Sequence, residues 1–334
     1  MPGSVDTTPF TRVDHFWVVG HRGAPVEEAE NTLPSFELAL ASGANGLELD
    51  LCVTRDGQVV LWHDFNPHAY QSLARRFGLE PDVGFRPVVA EASRYRRSVD
   101  KLTLAEFREH HGYARQDASA TKVAAHIPTL EEFMEFARQR PQLGLVFLDI
   151  KLPSRRVALL EPLLTRLDRL LAQLRPNFEI VLESAKPDII RALRTLAPRY
   201  AAALDIEPPP GLILRPHKYS AVEAAVTHDL AWATAQKPRG MTFRAFETHC
   251  KIVSHDLALL ERRAKQTPSI TSPAVCCFTI NEEEHMQRLV RMGVAAIQSD
   301  FPGRLRKVAD DCGRALGSSN LTAPEHRPFE SSQA

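Results

Sequence analysis

The 334-residue chain has no excess of charge of either sign: 41 lysines and arginines balance 41 aspartates and glutamates. No overall field therefore attracts nucleic acid or an anionic membrane, and partners have to be read from local sites. No run approaches the roughly 18 apolar residues of a membrane span. The start, MPGSVDTTPFTRVDHF, lacks a basic stretch followed by an apolar run of about 7–15 residues. Cysteine is sparse, and Cys52, Cys250, Cys276, Cys277 and Cys312 form neither a CxxC pair nor an even disulfide framework. These absences argue against a disulfide scaffold, a membrane-spanning protein and a nucleic-acid binder. They predict buried free thiols in a cytoplasmic protein without a transmembrane segment.

What is present is an alternation of short apolar runs with segments of helical period, the pattern of repeated βα units and a parallel sheet. The length suits a single (β/α)8 barrel, which takes about 250 residues plus insertions. Strands are expected at 16–20, 46–51, 58–63, 144–150, 178–183, 200–206, 251–254, 274–280 and 295–299, nine candidates for eight places, with KIVS at 251–254 the weakest. Asn31 and Thr32 can cap a helix that places Leu33, Phe36 and Leu40 on one face, and Thr129 precedes the helical LEEFMEFARQR. Further helices are expected at 155–174, 187–196, 256–266, 282–292 and 302–316. Residues 64–126 break the rhythm and read as an insertion after the third strand, near a barrel mouth. The expectation is one domain over 12–317 and a polar, disordered tail over 318–334.

Glu48 and Asp50 stand two apart in GLELDL, so a strand points both to one face about 7 Å apart. In a barrel interior two such acids repel and resist ionisation unless a cation neutralises them, which suits a hard metal; on a surface strand they would simply be solvated. Two histidines reach the same rim: His21-Arg22-Gly23 ends the first strand and His63-Asp64 the third. Imidazoles flanking one phosphate can divide proton removal from proton donation, and Arg22 adds a fork-shaped cation. Asp149 in FLDIK is a third acid among apolar residues, either a metal ligand or the partner of Lys151 on the same face.

These residues resemble the glycerophosphodiester phosphodiesterase family. HRGAPVEEAENTLPSFELALASGANGLELDLCVTRDGQVVLWHD is similar to the family's series of HRG, ENT, ExD and HD, IPTLEEF with FLDIK to its next block, and CFTINEEEHMQRLVRMGVAAIQSDFPGRL to its closing one. The resemblance implies a (β/α)8 barrel phosphodiesterase with His21 and His63 as the acid/base pair. It further implies that Glu48, Asp50 and Asp149 bind one divalent metal, Mg²⁺ or Ca²⁺, and that Arg22 and Lys151 contact the phosphate. Glu30, Asn31, Glu183 and Phe278 become supporting residues around them. The sequence departs from the family in carrying aspartate at 149 for the usual glutamate, Phe278 for the usual tryptophan, and no arginine-threonine-threonine run after HD.

The function so implied is hydrolysis of small-molecule glycerophosphodiesters to sn-glycerol 3-phosphate and an alcohol. The shorter third acid also resembles the related sphingomyelinase D and lysophospholipase D branch, which usually carries disulfides and is secreted in its venom members, and neither trait appears in this sequence. The alternative within the enzyme class is a lysophospholipase D in which aromatics of the insertion, such as Phe65, Tyr70, Phe77 and Phe85, hold a lysophospholipid's acyl chain rather than forming a local mini-core. A barrel that only binds phosphodiesters is the reading outside the enzyme class.

Overall fold

The computed structural model describes residues 15–80, 82–89, 94–116, 122–208, 216–238, 243–267 and 272–318. Eight parallel strands close into a barrel. They are β1 (Trp17–His21), β2 (Gly46–Val53), β6 (Leu145–Ile150), β7 (Glu179–Ser184), β8 (Ala201–Ile206), β9 (Trp232–Gln236), β10 (Ala274–Phe278) and β11 (Ala296–Ser299). Pairing of β1 with both β11 and β2 closes the ring, with His21 in register with Glu48. The expected (β/α)8 barrel is what the chain forms.

Two strand assignments change. KIVS belongs to the helix Phe243–Gln266, where burial of His249, Cys250, Ile252, Val253 and Asp256 follows a period near 3.6 that a four-residue β-branched run conceals. The missing place is filled by β9, WATAQ, whose alanines and single Trp and Thr give little strand signal. A third change concerns the segment that carries His63. Its strand β3 (Val59–Leu61) runs antiparallel to β2 and stands outside the barrel. The insertion after it is ordered where described, with helices α2 (Tyr70–Arg76) and α3 (Leu104–His110) and an antiparallel pair, β4 (Phe85–Val89) and β5 (His111–Arg115). The proposed disordered tail lies, beyond residue 318, outside the described residues.

The helices form where the caps predict. Thr129 and Glu132 make a reciprocal capping box at the start of α4 (Leu130–Ala137). Thr32 alone caps α1 (Leu33–Ala41), its hydroxyl accepting from the Ser35 N–H. Asn31 is thereby left for another task. Helices of the outer ring bury stripes such as Leu160, Leu163, Leu164, Leu167 and Leu170 of α5 (Leu160–Leu174) against the outward faces of the strands.

A second, separate apolar cluster fills the lower lumen: Trp17 and Val19 of β1, Leu145 and Phe147 of β6, Val181, Ala203, Trp232, Cys276 and Ala296. Phe147 and Trp232 meet edge to face at 5.1 Å. Residues two further along the same strands continue on the same inner face. They include His21, Asp149, Glu183, Asp205, Thr234 and Gln298, all but His21 buried. At that level the lumen becomes polar.

Candidate active site at the barrel mouth

The acids of β2 and β6 meet side by side because the strands pair in register, Asp50 opposite Asp149. Oxygens of Glu48, Asp50 and Asp149 lie within 4.8 Å of one another, all buried. Lys151 reaches into this set, 3.0 Å from Asp50 and paired with Asp149. The Lys151–Asp149 pair is therefore formed, and formed inside the acid cluster rather than instead of it. Its ammonium, with Arg22 and the Asn31 amide, holds Asp50 well below the usual carboxylate range against the opposing effect of burial. Asn31 donates to Asp50 at 2.7 Å and accepts its N–H at 3.0 Å, which fixes that carboxylate from both sides.

Glu48 is treated differently by its surroundings. Its carboxylate accepts the Arg22 N–H at 3.0 Å and lies 3.9 Å from His21. Burial and the neighbouring Asp50 push its pKa well up, outweighing Arg22 and Lys151. Asp149 is raised for the same first reason, burial, despite Lys151. Three buried carboxylates, two of them with pKa raised by burial, form a donor set that suits a hard divalent cation at that point.

Each histidine is oriented by its own carboxylate. His21 Nδ1 contacts Asp300 at 2.7 Å, and His63 Nδ1 contacts Asp64 at 2.7 Å. With Nδ1 so engaged, Nε2 is the ring nitrogen that these two carboxylates do not contact. Asp300 is in turn held by the Asn281 amide at 2.7 Å, and it stays ionised below its normal range through His21 and Asn281 although burial opposes this. Burial, followed by Arg22 and Lys151, lowers the His63 pKa well below that of free imidazole.

The other predicted residues fall close by. Arg22 lies against Glu30 at 2.8 Å, Asp50 at 3.1 Å and Glu80 at 3.2 Å. Glu183 is buried beside Asp149 and Asp205, with Gln298 reaching across the mouth to it at 3.5 Å. Phe278 ends β10 on the same rim, 7% exposed. All eleven predicted site residues thus gather at the C-terminal mouth of the barrel or in the layer supporting it.

The sequence reading missed several partners. Asp300 directly follows β11 and His21 ends β1, so its rim position was available as a signal. Asp205 in ALDI repeats the pattern of Asp149 in FLDI, an acid in an apolar strand. Arg75 had no such signal: it comes from α2 of the insertion, is 3% exposed, and pairs with Asp64, Glu30 and Glu80. Of the insertion's aromatics, Phe65 is buried and Phe85 half-buried in the core, whereas Tyr70 and Phe77 are exposed.

The profile of the glycerophosphoryl diester phosphodiesterase family matches residues 21–304. The chain belongs to that family. As a family member it is a phosphoric diester hydrolase, the enzyme class the sequence implied. A probable glycerophosphodiester phosphodiesterase 1 of Mycobacterium tuberculosis is 27% identical over 91% of this chain and 96% of its own length. Among solved structures, a putative glycerophosphoryl diester phosphodiesterase of Silicibacter pomeroyi superposes with a TM-score of 0.64 at 21% identity, covering 91% of this chain and 96% of that one. A phosphodiesterase of Oleispira antarctica, solved with the product sn-glycerol-3-phosphate, superposes at 0.59 with 20% identity, covering 87% and 96%. At these identities the two structures bear on the fold of this family member, and its site rests on its own residues.

Proposed function

We propose that the chain hydrolyses glycerophosphodiesters to sn-glycerol 3-phosphate and an alcohol by a two-histidine mechanism. The observation that carries this reading is the convergence of two separately oriented imidazoles, His21 on Asp300 and His63 on Asp64, upon one cluster of three buried acids. In this reading Glu48, Asp50 and Asp149 would hold one divalent cation, Mg²⁺ or Ca²⁺, which would supply positive charge to offset the negative charge developing on the phosphoryl group. Lys151 and Arg22 contribute fixed cationic charge from the protein beside the same oxygens. One imidazole Nε2 removes the proton of the attacking oxygen, and the other protonates the departing alcohol. Asp300 and Asp64 fix the tautomer and stabilise whichever ring becomes positive. The product bound to the Oleispira antarctica phosphodiesterase matches the glycerol-phosphate side assigned to this substrate.

The test is release of sn-glycerol 3-phosphate from glycerophosphocholine, assayed with Mg²⁺ or Ca²⁺ and again after chelation. Hydrolysis that stops on chelation and returns with the ion is expected, and a Glu48→Ala protein that is folded but inactive. Full turnover in chelator, or full turnover by Glu48→Ala, would remove the metal from the reading.

A further inference from the structure

The outer face of the insertion has no part in the chemistry above. Among the described residues the large apolar side chains left exposed are few, and three fall on α2 and the turn after it: Tyr70 at 84%, Phe77 at 77% and Leu79 at 72%. Tyr70 and Phe77 are seven residues apart, about two helical turns, so they project from one side. Ser72 and Arg75 are buried on the other.

Charge in the segment that carries these side chains is predominantly positive. Residues 70–97 hold six arginines against three acids, in a chain whose overall charge is zero. Arg75 is taken up by its three carboxylates, while Arg76 and Arg86 stand together on the surface beside Phe77. Arg76 and Arg96 lie near enough that Arg96, after burial, pushes the Arg76 guanidinium below its normal pKa. Arg86 donates to the Arg76 carbonyl at 2.9 Å. Arg76, Phe77, Gly78, Glu80, Val83 and Arg86 line a groove of about 560 Å³. The patch adjoins the barrel mouth, because Glu80, next to Leu79, accepts from Arg22 at 3.2 Å.

We propose that this face docks on an anionic phospholipid bilayer, with Tyr70, Phe77 and Leu79 entering the headgroup boundary and the arginines resting against lipid phosphates. Protruding aromatic and aliphatic tips among clustered guanidinium groups suit a fluid anionic interface, which moulds around separate side chains without needing a matched partner surface. Glycerophosphodiesters arise by removal of both acyl chains from phospholipids, so docking sets the mouth where its substrate is released. That consequence rests on the proposed function; the docking itself does not.

The experiment is co-sedimentation of the full chain with phosphatidylcholine vesicles and with equimolar phosphatidylcholine–phosphatidylglycerol vesicles, at low and high salt. Turnover of soluble glycerophosphocholine is followed in parallel. Binding to the anionic vesicles, at least about tenfold weaker in high salt or on phosphatidylcholine alone, is expected. The triple variant Tyr70→Ser/Phe77→Ser/Leu79→Ser and the pair Arg76→Glu/Arg86→Glu should each lose about tenfold or more in vesicle affinity while keeping soluble turnover. Wild type that stays in the supernatant with anionic vesicles, or variants that sediment as wild type does, would overturn the proposal. So would a wild-type dimer that the triple variant dissolves, which would give the face to a second copy. A chain that binds vesicles but does not turn over the soluble diester leaves docking standing and sinks the proposed function instead.

Discussion

Two layers of the same barrel, one residue pair apart, are built for opposite ends. In the lower lumen Val19, Phe147, Val181, Ala203, Trp232 and Ala296 form a sealed apolar plug. Two positions onward the same strands present His21, Asp149, Glu183, Asp205, Thr234 and Gln298. The step is about 7 Å. The lower layer stabilises the barrel by removing large apolar surfaces from water. The upper one burdens it with carboxylates that burial discourages from ionising, Glu48, Asp149, Glu183 and Asp205 alike. The strain of the upper layer is tolerable because the plug beneath holds the strands that carry it.

The sharpest way to break this division is to remove the rings. His21→Ala and His63→Ala are each expected to lower kcat about 10²–10⁴-fold, with melting temperatures close to that of the parent. Large losses of stability would show that the upper layer supports the fold as well. Below them, Phe147→Ala should cost about 3–5 kcal/mol in urea unfolding, through the cavity left beside Trp232, while the folded fraction keeps its turnover. A folded but inactive Phe147→Ala would mean that the plug tunes the chemistry directly.

A smaller effect separates the layers by pH. Burial and then the Asp149 charge hold Asp205 at about 7 against its ordinary 3.8. The folded chain thus keeps a proton that the unfolded chain has released, so stability is greatest below 3.8 and is lost as pH rises through about 7. Asp205→Asn should therefore melt at higher temperature than wild type above pH 7, by on the order of 1–3 kcal/mol, the gap closing towards pH 4. Thermal melts in chelator measure it; a gap independent of pH would contradict the assignment.

How far the sequence announced all this differs by layer. Strands of the plug were legible because long apolar runs such as GLVFLDI carry their own signal, and Glu48, Asp50 and Asp149 showed as charges embedded in those runs, though Asp205 in the same setting was passed over. β9 was hidden because the lumen at that point takes Trp232 and Thr234 between alanines, a pattern with little β-branched content. KIVS misled because four residues cannot display a helical period. The rim residues were readable from motif order, yet Asp300 and Arg75 join the site through contacts 279 and 11 residues away in sequence, with His21 and Asp64 respectively. No local pattern encodes the first pairing, since only the closed ring brings Asp300 to His21, and the second depends on how the insertion folds back.

The antiparallel β3 gives the two histidines separate mountings. His21 rides on the seam that closes the barrel, whereas His63 follows a strand outside the ring and is steadied through Asp64 by Arg75 of the insertion. The insertion is for that reason not an exchangeable cassette. A chimera that replaced residues 64–126 with a loop from a relative would keep the mounting of His21 and lose that of His63, and would recover it only if the graft brought both a carboxylate to the place of Asp64 and a buried guanidinium to the place that Arg75 now fills.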